Sequence, residues 1–67
     1  MAVAKVIELS ASSTKSFEDA IRNGIARASK TVHNISGVWI HDQNVKVENE
    51  AVTEWRVIMK VTFVLDD

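Results

Sequence analysis

Hydrophobic and polar positions divide the chain into four segments, each with its own period. From Val3 to Leu9 the period is two: Val3, Lys5, Ile7 and Leu9 share one face, and the β-branched Val3, Val6 and Ile7 predict a strand. The polar run Ser10-Ala11-Ser12-Ser13-Thr14 predicts a loop after it. From Ser16 the period changes to that of a helix. Phe17, Ala20, Ile21, Gly24, Ala28, Thr31, Val32 and Ile35 form one stripe, with Ile25 at its edge. Glu18, Asp19, Arg22, Asn23, Ala26, Ser29, Lys30 and His33 lie opposite. Ser16 followed by Asp19 is a capping-box variant, and Glu18 and Asp19 suit the positive end of the helix dipole. Gly24 costs the helix about 1 kcal/mol of propensity and implies close approach of the sheet or another helix.

Gly37 is expected to end the helical region, and Val38 to Val47 to form the second strand. Its parity breaks: Val38 and Ile40 point one way on even positions, Val45 and Val47 on odd ones. A bulge or bend within His41-Asp42-Gln43-Asn44 would restore a single buried face. Glu48-Asn49-Glu50 reads as a turn. The last strand, Val52 to Leu65, has Trp55, Val57, Met59, Val61, Phe63 and Leu65 on one face, expected to meet the helix. Ile58 and Val64 make the other face more apolar than a wetted sheet needs, which hints at a subunit contact. The predicted fold is α+β, ordered β-α-β-β: a single domain over residues 1–67 with a three-stranded antiparallel sheet wrapped around one helix.

Composition sharpens this picture. At 67 residues with 46% hydrophobic positions the chain is globular but small. Cores of this size rarely supply more than about 3–5 kcal/mol, and the usual supplements are disulfides, metals or self-assembly. There is no cysteine, and no ligand cluster is evident, so a homo-oligomer is expected. A net charge of −1 argues against nucleic-acid or anionic-membrane partners. No apolar run reaches a membrane-spanning length, and the N-terminus carries no secretory pattern, so a soluble cytoplasmic protein is expected.

Four stretches together resemble the dodecin family. They are Lys5-Val6-Ile7-Glu8-Leu9, Ser16-Phe17-Glu18-Asp19-Ala20-Ile21, Ala26-Arg27-Ala28-Ser29-Lys30-Thr31-Val32-His33-Asn34-Ile35, and Trp55-Arg56-Val57-Ile58-Met59-Lys60-Val61-Thr62-Phe63. The match spans nearly the whole chain without gaps. The resemblance implies twelve copies in a hollow shell that stores or quenches flavin (riboflavin or FMN) without turnover, as pairs of flavins on two-fold axes. In flavin-binding members a tryptophan at the start of strand two stacks on the ring, a strand-three glutamine bonds its polar edge, and a strand-two arginine often assists. With Asn34 and Val57 as anchors, the tryptophan position falls at Gly37, the glutamine at Arg56 and the arginine at Asn44. The scaffold pattern is therefore kept while the flavin pattern is changed, and a branch that binds calcium, or is purely structural, stays open beside weak flavin binding.

The remaining candidates each have two readings. Trp39 lies two residues beyond Gly37 on the same strand face, where it could stack on a planar ligand or pack against a neighbouring subunit. Trp55 falls in the core set, or offers a ligand platform. Arg56 points away from the helix, to pair with a carboxylate or clamp a phosphate. His33 and His41 have neither zinc-like spacing nor a triad partner at motif distance. Asp42, Glu48, Glu50, Glu54, Asp66 and Asp67 match no EF-hand pattern, but a symmetric oligomer could gather such carboxylates around calcium or magnesium on an axis. No set of residues supports an enzyme.

Overall fold

In a computed structural model, which describes residues 3–65, the first strand, β1, spans Ala4–Ser13 and outlasts its apolar run. The expected loop over residues 10–14 is mostly strand. Ala11 pairs with Val57 and Ser13 with Trp55, so sheet pairing overrides the turn-like composition. Ser13 is buried and links strand to helix. Its hydroxyl donates to Asp19 Oδ2 at 2.6 Å and accepts from the Lys15 N–H at 2.9 Å and the Ser16 N–H at 3.4 Å.

Helix α1, Phe17–Ala28, begins as expected, with the Ser16 Oγ accepting from the Asp19 N–H at 2.9 Å. The Asp19 carboxylate does not close a reciprocal box: it takes the Ser13 hydroxyl and the Asn23 amide instead. The helix is shorter than the stripe predicts. The Lys30 and Thr31 N–H groups bond three residues back, to Arg27 and Ala28, and Asn34 takes a positive φ of 64°, a conformation asparagine tolerates. The chain thereby reverses, and Ile35 enters the sheet opposite Phe63. Ile35 still packs against the core, as its place in the stripe suggested, but from a strand.

Strands β2, Ile35–Glu48, and β3, Ala51–Val64, form a hairpin. Asn49 and Glu50 both have positive φ, 51° and 64°, the combination that lets a two-residue turn match the twist of its strands. β3 is central in a fully antiparallel β1-β3-β2 sheet. The register shifts between Ile40 and Asp42, leaving His41 as the extra residue in the stretch where the parity broke. Further shifts occur at Ile35/Gly37 and Lys46/Val47.

The core lies where α1 meets the middle of the sheet. Ala20, Val57, Met59 and Val61 are fully buried, and Ile7, Leu9, Ala11, Phe17, Ile21, Ile35 and Val38 pack around them. A Cβ at Gly24 would overlap the Met59 Cε methyl and sit 3.1 Å from Ala11 Cβ; the glycine is the clearance that lets helix and sheet close. Trp55 departs from the expected core set. It lies on the helix side but one row beyond Val57, outside the buried cluster, and is only half-buried. Leu65, 44% exposed, also escapes the core. The helix packs on β1 and β3, and Ile40, Val45, Val47 and Val52 remain exposed.

Candidate functional site

The sheet face opposite the helix gathers all four residues expected at a ligand site. Residues directly opposite across antiparallel strands share a face, so the register reads off this face in rows. Thr62 stands between Val6 and Gly37, Lys60 between Glu8 and Trp39, Ile58 between Ser10 and Asp42, and Arg56 between Ser12 and Asn44. Two pairs therefore form: Gly37 with Trp39 along β2, and Asn44 with Arg56 across the strands. The row containing Ile58 and Asp42 lies between them.

Trp39 projects from this face with 69% of its surface exposed. Nothing approaches within 4 Å of where a Gly37 Cβ would stand, so that position is open space, with neither a clash nor a platform. Arg56 is engaged within the chain: its Nε donates to Glu54 Oε1 at 2.9 Å. This bond, with the charges of Arg56 and the cross-strand Lys46 and a contact from Ser12, outweighs desolvation and holds the Glu54 carboxyl below its ordinary value. The ion-pair reading of Arg56 thus has a partner in its own chain.

The carboxylates of the described residues do not converge. Asp42 accepts its neighbour's Gln43 N–H at 2.8 Å, Glu48 pairs with Lys46 at 3.0 Å, and Glu54 is held by Arg56. Among the described residues no three His, Asp or Glu side chains are placed to hold a metal ion. A calcium or magnesium site does not fit the donors that the described residues of one chain bring together. Asp66 and Asp67 lie outside the described residues. His33 and His41 are both exposed, the former after the helix and the latter at the β2 bulge.

Sequence reasoning missed a groove of about 490 Å³ between β1 and α1, lined by Ile7, Leu9, Ala11, Gly24, Ala28 and Arg27 among others. Its signal was present in the small residues Gly24 and Ala28, one helical turn apart; a Cβ at Gly24 would stand 3.1 Å from that of Ala11.

The order β-α-β-β, the central third strand and the bulged second strand can be set against known proteins. The family model for dodecin matches residues 3–66. The chain belongs to the dodecin family. Among solved structures, the Streptomyces davaonensis dodecin is 33% identical, with 98% of this chain and 97% of that one covered and a TM-score of 0.93. An arginine-to-alanine mutant of the T. thermophilus dodecin is 28% identical over the whole of both chains, with a TM-score of 0.94. A calcium dodecin from Mycobacterium tuberculosis, described as having a novel calcium-binding site, is 26% identical over 96% of this chain and 91% of that one, with a TM-score of 0.82. No curated protein matches. The dodecin fold expected from the sequence is thus the fold observed. No helix in the described residues is long and apolar enough to cross a membrane.

Proposed function

We propose that copies of this chain assemble into a dodecin-type shell, twelve subunits by the family pattern, that holds a small planar ligand between subunits on the outer sheet face. Flavin, as riboflavin or FMN, is the first candidate, and its binding is weak. A cytoplasmic store or quencher, rather than an enzyme, follows the same pattern. The observation that carries the reading is Trp39, a large aromatic left 69% exposed on the face that also bears Gly37, Asn44 and Arg56. The uncovered apolar side chains of Ile40, Val45, Val47 and Val52 support assembly.

Weakness follows from two changes. Gly37 offers no ring, and Arg56 is a cation tied to Glu54 rather than a neutral amide. Stacking of comparable rings is worth about 1–3 kcal/mol each. Losing two such contacts per flavin pair together with a neutral amide partner, to the extent that Trp39 does not take over the platform, weakens binding by about a hundredfold at 1.4 kcal/mol per decade. The test is quenching of free riboflavin or FMN fluorescence. The expected result is weak binding that is lost in Trp39→Ala and strengthened in the double variant Gly37→Trp with Arg56→Gln. Tight binding that survives Trp39→Ala would refute this account of the site.

A second reading, a dodecin scaffold that binds calcium or is purely structural, draws support from the calcium dodecin of M. tuberculosis. Because the carboxylates of the described residues are dispersed, the reading has copies meet on an axis. Metal analysis of dialysed protein separates it from the first: stoichiometric calcium retained without flavin binding would favour it.

A further inference from the structure

We infer that the outer-face platform selects planar ligands carrying an anionic group, with Lys60 as the residue that imposes the preference. This rests on the reading of Trp39 as the stacking residue. Lys60 is the direct cross-strand partner of Trp39, one strand spacing away on the same face, about 4.8 Å between backbones. It is half-buried although it lies on the central strand of a face with no helix above it.

Among the described residues its charge has no ion-pair partner. Glu8 stands directly opposite on the other side, yet the ion pairs among the described residues are Arg22–Glu18, Lys46–Glu48 and Arg56–Glu54, and none includes Lys60. The other cations on this face among the described residues, Arg56 and Lys46, are engaged by Glu54 and Glu48. The platform therefore offers one aromatic surface and, beside it, an ammonium that no ion pair among the described residues engages, with the Glu8 carboxylate on its far side. An ammonium on a four-carbon stem acts as a mobile point charge that follows a phosphate or carboxylate without demanding one geometry. A ring stacked on Trp39 would bring its anionic substituent into that reach. An uncharged ring would gain the stacking alone. Among flavins the distinction falls between FMN, with its phosphate, and riboflavin, which has the same ring and no charge.

The experiment is a pair of fluorescence-quenching titrations, FMN and riboflavin, at low and high salt, on the assembled protein and on Lys60→Met, Lys60→Arg and Trp39→Ala. A solvent-accessible charge pair gives a preference of about three- to fivefold for FMN at low salt, shrinking as salt screens it. Lys60→Met should bring the ratio to about one by weakening FMN more than riboflavin, and Lys60→Arg should retain the preference, which a merely structural role for Lys60 would not produce. Equal affinities for the two ligands in the unmodified protein, both lost in Trp39→Ala, would overturn the inference and leave the platform standing. An FMN preference that persists in Lys60→Met would assign the anion to another residue. Binding of both ligands that ignores Trp39→Ala would remove the platform itself, and absence of FMN binding up to millimolar concentration would overturn both.

Discussion

Gly24 and Glu50 show how single positions are set by what surrounds them. Gly24 gives up helix propensity to admit Met59 and Ala11, so filling that space must push helix and sheet apart. Gly24→Leu is expected to cost at least about 1–3 kcal/mol by overpacking, read as a lower denaturation midpoint at fixed protein concentration. An unchanged or raised midpoint would mean that the glycine is only a helix defect. Glu50 presents the opposite case. It holds a φ of 64° at the hairpin turn, where a side chain costs roughly 1–2 kcal/mol and glycine costs little. Glu50→Gly should therefore stabilise the hairpin, partly offset by the greater freedom of glycine in the unfolded chain. A loss of stability would show that the Glu50 side chain makes a contact in the assembly that outweighs the strain.

At the scale of elements, the faces were more legible than the ends. Strict alternation of Val57, Met59 and Val61 fixed which side of β3 meets the helix, and all three are fully buried. The parity break in β2 correctly demanded a bulge near His41. What could not be read was where an element stops, because that depends on partners distant in sequence. Ser12 and Ser13 look like loop residues until Arg56 and Trp55 are found opposite them. Thr31 and Val32 continue the helical period, but the chain has already turned toward the pairing of Ile35 with Phe63. The spacing put Gly37 and Trp39 on one strand face and turned Arg56 away from the helix, yet the arrival of Asn44 on that face, the separation into two pairs and the capture of Arg56 by Glu54 follow from register and side-chain geometry that no spacing rule contains.

Two element-level outcomes follow. Met59→Ala should cost about 2–5 kcal/mol, and Trp55→Ala less, because Trp55 lies outside the buried cluster. The reverse order would mean that Trp55 becomes buried against another subunit. Glu54, held below its ordinary value of 4.5 chiefly by Arg56, contributes stability that is present above that value and lost as pH falls through the lower folded-state value. Glu54→Gln should flatten the acid side of the stability profile below about pH 4.5 and leave the neutral side parallel to the unmodified protein.

For the whole molecule, the decisive feature is how little of the sheet one helix covers. A three-stranded sheet with α1 over β1 and β3 leaves Ile40, Val45 and Val47 of β2 and Val52 of β3 bare. A chain of 67 residues without cysteine has no disulfide to supplement its core. In the proposed shell the ligand is held between subunits, so assembly and the site stand or fall together. The measurement that tests this most directly is the mass in native buffer by light scattering at micromolar concentration. Twelve chains of 7.5 kDa each give about 90 kDa, and that mass, unchanged on dilution through the micromolar range, is the predicted result. A stable folded monomer of 7.5 kDa would contradict the shell and, with it, the site proposed between its subunits.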